Sequence, residues 1–70
     1  MTDLQQKRIV LRNLKEQLAE GDQRELARRL DTHPSRISDA LAGLVKNMDF
    51  LKGLETEIRN ILAERQAVNS

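Results

Sequence analysis

Apolar side chains recur every three or four positions along the first part of the chain, which predicts a helix with one buried face. The apolar positions are Leu4, Leu11, Leu14 and Leu18, with Ile9 and Val10 widening the stripe. This helix is expected to run from Leu4 to about Glu20. Gly21 follows, and glycine often adopts the left-handed conformation just past a helix end, so we expect the helix to stop there.

A second, shorter apolar stripe predicts a second helix directly after this break. Asp22 and Glu25 have the spacing of an N-terminal capping box, in which two side chains reciprocally accept backbone N–H groups. This spacing predicts that the helix begins at Gln23. Its apolar positions are Leu26, Ala27 and Leu30, which share one face at helical periodicity.

A proline marks the start of a third helix. Proline disrupts a helix interior but suits the first helical position, so Pro34 predicts a helix that begins there. Gly43 predicts its end within a residue or two. The apolar positions of this helix are Ile37, Ala40, Leu41 and Leu44. The positions left for its opposite face are Ser35, Arg36, Ser38, Asp39 and Ala42.

The last predicted helix covers about residues 48–67 and is the longest. Asn47 is suited to cap it, and Phe50 is expected in the core. Its apolar positions are Leu51, Leu54, Ile58, Ile61 and Leu62. Their spacing is close to a heptad seam, so the stripe either pairs two copies of the chain or closes the core behind the third helix. The elements together predict a single all-α domain over residues 1–70, with four to five helices and a long C-terminal helix.

Composition narrows the chemistry that so small a domain can carry. The chain has 70 residues, a size that buries only about 60% of the unfolded surface, so efficient helix packing or a partner subunit must add stability. It contains no cysteine and one histidine, which excludes disulfides and a Cys/His zinc site and fits a reducing compartment. A single aromatic residue, Phe50, disfavours a β-rich fold and base stacking on aromatic platforms.

Charge is balanced overall but not along the chain. Twelve basic and eleven acidic side chains give a net charge of +1, which by itself indicates no nucleic-acid partner. Residues 1–47 hold nine basic and seven acidic side chains, a net of +2, whereas residues 48–70 hold three and four, a net of −1. The longest segment without a polar side chain, 40–45, is too short to span a bilayer, and the N-terminus lacks the apolar core of a signal peptide. We therefore expect a soluble intracellular protein with no membrane partner.

Two short helices separated by a three-residue turn follow the pattern of a helix-turn-helix. The marker positions are Gln23, Ala27, Asp31, Ile37 and Ala40. The segment from about 23 to 43 resembles the helix-turn-helix of the phage Cro and repressor family and its bacterial relatives. In that family a small residue, here Ala27, lets the two helices cross closely, and an aliphatic residue, here Ile37, pins the recognition helix to the core.

The chain departs from the family pattern at two places. Asp31 stands where the family usually has glycine in a left-handed turn, a conformation that Asp tolerates better than most residues. After Gly43 the sequence predicts a helix where Cro itself has β-strands. The overall form therefore looks more like an all-helical repressor head.

The resemblance implies that the partner is double-stranded DNA, with the third helix in the major groove. The side chains that would contact base edges are Ser35, Arg36, Ser38 and Asp39. Those that would contact the phosphate backbone are Gln23, Arg24, Arg28, His33, Lys46 and Asn47. Arg36 is the first choice for base reading, because its guanidinium can donate two hydrogen bonds to guanine.

Each of these contacts has a plainer interpretation from the residues alone. Arg36 and Asp39 are three positions apart and can form an ordinary surface ion pair. Arg28 can be ordinary surface charge, and His33 an exposed turn residue. Asp39 is also repelled by phosphates, so its effect can be to exclude wrong sequences instead of adding affinity.

A single recognition helix contacts few base pairs, whereas two copies about 34 Å apart read two half-sites. The resemblance therefore implies that the chain binds a palindromic operator as a homodimer. It also implies a Cro-like or repressor-like transcriptional regulator, located in the cytoplasm of a bacterial cell or a phage-infected host. The candidate dimer interface is the stripe on the last helix, Leu51, Leu54, Ile58, Ile61 and Leu62. Closing the core remains the other use of that stripe.

No enzymatic activity is expected. His33 is the single histidine and has no cysteine partner, and the three glycines are too far apart to form a phosphate-cradling loop. We therefore expect no cofactor, no metal and no small-molecule substrate. The alternative function is a protein-binding adaptor, such as an antitoxin or anti-repressor, built on the same scaffold. The low net charge favours this alternative, because non-specific DNA affinity depends on cation count.

Overall fold

The structure, a computed structural model, describes residues 2–69, with side chains described for residues 2–67. It contains four helices, α1 (Asp3–Lys15), α2 (Asp22–Arg29), α3 (Pro34–Leu41) and α4 (Met48–Asn69). The described residues contain no strand, so the predicted all-α class with a long C-terminal helix is confirmed. Met1 and Ser70, at the ends of the predicted domain, lie outside the described residues.

α1 begins with a capping box and ends earlier than predicted. Thr2 Oγ1 accepts the Gln5 backbone N–H at 3.2 Å, and Gln5 Oε1 accepts the Thr2 backbone N–H at 3.2 Å. The helix ends at Lys15, not at the predicted Glu20. Beyond it the backbone forms tighter turns, with the Leu18 N–H donating to the Lys15 carbonyl, and Leu18 still packs against the core. The apolar stripe therefore extends past the helix that it predicted.

The start of α2 differs from the predicted capping box. α2 begins at Asp22, one residue earlier than expected, and Gly21 is its N-cap with a φ of +91°, so Gly21 begins α2 instead of ending α1. The Asp22 carboxylate accepts the Ala19 backbone N–H at 2.7 Å and pairs with Arg65 of α4. Because these partners already hold Asp22, it forms no reciprocal cap with Glu25.

The turn between α2 and α3 has the conformation that the sequence predicts. Asp31 lies in the left-handed region with a φ of +55°, and the Thr32 N–H donates to the Ala27 carbonyl at 2.8 Å. Pro34 is the first residue of α3, as predicted, and His33 is its N-cap. α2 and α3 are therefore two short helices joined by a tight turn.

α3 ends in a left-handed cap, as predicted. The helix stops at Leu41, and Gly43 follows with a φ of +85°. The Gly43 N–H donates to the Ala40 carbonyl at 3.2 Å, and the Leu44 N–H donates to the Asp39 carbonyl at 2.9 Å. This cap redirects the chain before Leu44. The prediction that Leu44 is a core position is therefore wrong, since Leu44 is 72% exposed.

The hydrophobic core draws on all four helices. α4 packs against α1 and α2, and α3 also packs against both of them. The buried apolar side chains are Leu11, Leu14, Leu26, Ala27, Ile37, Ala40, Leu41, Val45, Leu51, Leu54, Ile58 and Ile61. Burying aliphatic side chains of this size contributes roughly 1.5–3 kcal/mol each before the entropy of ordering them is counted.

The apolar stripe of α4 closes the core of its own chain. Leu51, Leu54 and Ile58 have no exposed surface, and Ile61 keeps 6%. These four residues belong to the predicted dimer interface, and that prediction is wrong for them, because side chains already packed against α1 and α2 cannot also face a second copy. Leu62 is half-buried at the edge of the core.

The first turn of α4 is fixed by a polar cap and an aromatic ring. Asn47 Oδ1 accepts the Phe50 backbone N–H at 3.1 Å, which confirms the predicted cap. Phe50 itself is half-buried against the core and not inside it as expected. Its ring is therefore partly accessible to neighbouring side chains.

Ion pairs join α4 to α1 and α2. Pairs that cross between these helices include Lys7–Glu55 at 2.5 Å, Arg29–Glu64 at 2.9 Å and Asp22–Arg65. Burial raises the pKa of the Asp22 carboxyl, but hydrogen bonds from Arg65 and a backbone N–H outweigh it, so the pKa lies below its ordinary value. The hydrogen bond from Lys7 lowers the pKa of Glu55 in the same way.

Candidate nucleic-acid interface

The face of α3 that points away from the core carries the polar side chains predicted to read bases. Ile37 and Ala40 are buried on the inner side of the helix. The exposed side presents Ser35, Arg36, Ser38 and Asp39. With eight residues, α3 is about 12 Å long. The structure thus brings the four predicted base-contacting residues together on one exposed helix face.

Arg36 is the most strongly oriented side chain on this face. Its guanidinium carbon lies 4.6 Å from the centroid of the Phe50 ring, within cation–π distance. The surface ion pair between Arg36 and Asp39, which the sequence left open, is not among the ion pairs of residues 2–67. An aromatic ring therefore orders Arg36, and the guanidinium N–H groups remain available to donate hydrogen bonds to another molecule.

One end of α3 adjoins the start of α2. Gln23, Arg24 and Pro34 line a shared cleft, together with Ala19, Glu20 and Gly21. Pro34 is the first residue of α3, so the Arg24 cation lies beside the N-terminal end of this helix. Gln23 is half-buried and Arg24 is exposed. Both predicted backbone-contacting residues therefore flank the exposed face of α3.

Arg28 is exposed but already paired. Its Nε and Nη2 donate to the two carboxylate oxygens of Glu25 at 2.7 and 2.9 Å. The hydrogen bond from Arg28 lowers the pKa of the Glu25 carboxyl, so the pair stays ionised at neutral pH. Arg28 is therefore paired with a carboxylate, whereas Arg24 forms no ion pair within residues 2–67.

The remaining predicted backbone contacts are all exposed. His33 precedes α3 as its N-cap, and Lys46 lies in the loop between α3 and α4. Asn47 uses its side-chain oxygen to cap α4, which leaves its amide NH₂ as a donor. These three residues bracket α3 along the chain.

A basic cleft that the sequence does not predict lies at the other end of α3. Arg8, Arg12 and Lys15 lie one turn apart on a single face of α1, and they line this cleft with Leu41, Ala42 and Gly43. A β-carbon at Gly43 would lie 3.7 Å from both Cδ and Nε of Arg8. The cleft therefore joins three cations of α1 to the C-terminal end of α3.

The sequence did contain a signal for this cleft. Residues 4–15 include Lys7, Arg8, Arg12 and Lys15 and no acidic residue. Three of the four recur at intervals of four and three residues, which places them on one helix face. Their proximity to α3 depends on how α1 crosses it, which periodicity does not reveal.

The distribution of ion pairs separates two regions of the surface. Of the twelve Lys and Arg side chains, five form ion pairs within residues 2–67, namely Lys7, Arg28, Arg29, Arg59 and Arg65. The other seven are Arg8, Arg12, Lys15, Arg24, Arg36, Lys46 and Lys52. All of these except Lys52 lie on α3, in a cleft at one of its ends, or in the loop that follows it. Uncompensated positive charge is therefore concentrated around α3.

The part of the chain that the structure describes contains no candidate metal site and no candidate membrane span. No group of three His, Asp or Glu side chains there is arranged to hold a metal ion. No helix among those residues is long and apolar enough to cross a membrane.

Comparison with models of known protein families, with curated proteins and with solved structures finds no match to this chain.

Proposed function

We propose that this chain is a sequence-specific DNA-binding transcriptional regulator that inserts α3 into the major groove of double-stranded DNA. The supporting observation is the exposed polar face of α3, which has uncompensated cations beside both of its ends. A surface helix needs no such arrangement for stability, because scattered surface charges contribute little. DNA supplies the matching partner, with base edges at the groove floor and phosphates along both rims.

The dimensions of α3 suit this role. The major groove is about 12 Å wide and admits one α-helix. This width matches the diameter of an α-helix with its side chains, about 10–12 Å, and cations at the two ends of α3 would then lie close to the sugar-phosphate backbones that border the groove. Arg24 would contact one rim, and Gln23 would add a neutral hydrogen bond there.

Base reading would rest chiefly on Arg36. Its planar guanidinium can donate two parallel hydrogen bonds to O6 and N7 of guanine. Phe50 holds that guanidinium by stacking, which reduces the side-chain entropy lost on binding. Ser35 and Ser38 suit either bases or phosphates, and Asp39 can accept a hydrogen bond from the cytosine amino group.

A homodimer on a palindromic operator belongs to the same proposal. One α3 reads too few base pairs for tight binding, and a second copy about one helical turn away multiplies the affinity. Because most of the α4 stripe is buried in the core, the contact between copies would use side chains outside it. Leu62, which is half-buried, is the one member of the predicted interface that is not buried in the core.

A salt titration of binding to a random-sequence duplex tests the DNA proposal directly. Phosphate contacts release counterions, so the logarithm of the binding constant should fall steeply and linearly with the logarithm of salt concentration. Selection of bound fragments from a random pool should then yield a preferred sequence. Failure to bind any duplex at about 50 mM salt would contradict the proposal.

The adaptor function is the second candidate, and the low net charge favours it. The chain carries a net charge of +1, and Glu25 neutralises Arg28 next to α3. An adaptor would use the scaffold to bind a protein and would show no steep salt dependence toward DNA. The same titration therefore separates the two candidates.

A further inference from the structure

Three cations of α1 share a cleft that contains no acidic side chain. Its lining residues are Arg8, Arg12, Lys15, Leu41, Ala42 and Gly43. Like charges one helical turn apart repel each other and destabilise a helix. Lys7, Arg29 and Arg65 each reach across to another helix and are paired with carboxylates there, whereas none of the three cleft cations forms an ion pair within residues 2–67. The α1 cluster is therefore an uncompensated positive site built into the fold.

Arg8 lines this cleft and has an unused hydrogen-bond donor. Its Nε is buried and has no hydrogen-bond partner among the described residues. A β-carbon built on Gly43 would lie 3.7 Å from this Nε, so the Arg8 side chain passes close to the end of α3. Buried polar groups are nearly always paired, so an unpaired charged donor indicates a site where an acceptor is expected.

Stabilisation of the α3 C-terminus accounts for only part of this charge. The carboxyl end of a helix carries a partial negative charge of about half a unit, and nearby cations stabilise it. Arg8 beside Gly43 is enough for that role. Arg12 and Lys15 bring the cleft to three positive charges, which exceeds what the helix end can balance.

We propose that this cleft binds a phosphate of the DNA backbone and holds the duplex at the C-terminal end of α3. Ala42 lines the cleft and is exposed three positions after Asp39, so the cleft opens beside the face that would enter the groove. Arg24 lies at the opposite end of α3. α1 would thus supply the contact with one backbone while α2 contacts the other. This inference rests on the proposed DNA-binding function.

Neutral substitutions inside the cleft, with a control substitution of a cation outside it, test this contact. Arg12→Gln and Lys15→Gln remove exposed cations that form no ion pair in residues 2–67, so both variants should fold. Lys52→Gln removes one exposed, unpaired cation from α4, away from α3. Circular dichroism of each variant should match the wild type, and binding to one random duplex is then measured across salt concentrations.

We expect the double variant Arg12→Gln/Lys15→Gln to reduce the magnitude of the salt slope by roughly 0.9 for each phosphate that it no longer neutralises. Lys52→Gln should leave the slope at the wild-type value. The decrease in affinity should be the same on preferred and random sequences, because phosphates carry no sequence information. A double variant with the wild-type slope would overturn the inference, and so would a decrease confined to the preferred sequence.

Titration with inorganic phosphate distinguishes a DNA contact from a site for a free anion. Inorganic phosphate should cause only small changes in the nuclear magnetic resonance chemical shifts of the Arg12 and Lys15 backbone amides. Added duplex should abolish these changes, because it occupies the same cleft. Tight phosphate binding together with a wild-type duplex slope in the double variant would assign the cleft to a free anion and overturn the inference. A wild-type chain that binds no duplex refutes the proposed function itself, whereas normal wild-type binding with unaffected variants refutes the α1 contact alone.

Discussion

A methyl group added at Gly53 should stabilise the protein. Gly53 lies inside α4, and a β-carbon there would be 3.6 Å from Leu30 Cδ2, an ordinary van der Waals distance. Replacing glycine by alanine in a helix interior contributes about 0.8–1.0 kcal/mol. The new methyl also gains partial burial against Leu30, which adds a fraction of the roughly 0.8 kcal/mol that a fully buried CH₂ contributes. We therefore expect Gly53→Ala to raise the free energy of unfolding by about 1 kcal/mol.

Thermal and urea unfolding followed by circular dichroism at 222 nm measure this change. For a domain of this size, 1 kcal/mol corresponds to a rise in Tm of about 4–8 °C. The urea m-value should not change, because the surface exposed on unfolding is nearly the same. DNA affinity should also be unchanged, since the added methyl group would meet Leu30 and no side chain of α3 within 4 Å.

The same substitution at Gly43 is the matched control. Gly43 has a φ of +85°, where a residue with a β-carbon costs about 1–2 kcal/mol, so Gly43→Ala should lower the Tm. Replacing glycine by alanine should thus raise the stability at position 53 and lower it at position 43. A neutral or destabilising Gly53→Ala would contradict the room for a methyl group that the structure shows between Gly53 and Leu30. A stabilising Gly43→Ala would refute the left-handed cap of α3.

Further predictions concern DNA binding and pH. Arg36→Ala should cost about 1–3 kcal/mol on the preferred duplex and relax base preference, whereas equal losses on random DNA would reject base reading. Phe50→Leu keeps an apolar side chain but removes the ring, so it should cost about 0.5–1 kcal/mol in binding when Arg36 is present and nothing when Arg36 is alanine. Arg24→Ala should reduce the salt slope more than Arg28→Ala, because a neighbouring carboxylate already neutralises Arg28; equal slopes would contradict this. The lowered pKa of Asp22 contributes stability that is complete above the unfolded value of about 3.9 and is lost as the pH falls through the folded value. The stability difference between the wild type and Asp22→Asn should therefore be widest near neutral pH and narrow below about pH 4, and a constant difference would argue against a lowered pKa.

Residues that restrict the backbone were the most reliable guides to the fold. Pro34 at the first position of α3, Asp31 in the left-handed turn and Asn47 at the cap of α4 are all where the sequence predicts them. Each acts through its own geometry or through neighbours two or three residues away. The sequence alone therefore contains what is needed to predict them.

Predictions from apolar periodicity failed where the chain leaves a helix. Leu18 packs on the core from outside α1, and Leu44 follows the cap of α3 and is exposed. Periodicity records which side chains are apolar but not where the backbone hydrogen bonds change. Asp22 shows the same limit for polar residues, because its partner Arg65 is 43 residues away and no local pattern connects them.

The candidate site was predicted in part. The exposed face of α3 follows from helical spacing around Ile37, and it was predicted correctly as a surface. Two contributions to it depend on tertiary packing, namely Phe50 stacking on Arg36 and the approach of α1 to Gly43. Neither can be read from spacing along one helix, since each joins residues from different helices.

The inward position of the α4 stripe separates folding from assembly. An obligate dimer melts at a temperature that depends on its concentration, because each chain folds only together with its partner. Here Leu51, Leu54 and Ile58 are already satisfied inside one chain, so dilution should leave the melting temperature unchanged. Monomers that meet only on an operator would fill it in proportion to the square of their concentration. Such a regulator would leave its operator almost empty at low protein concentration. A few doublings of that concentration would then be enough to occupy most of the operator.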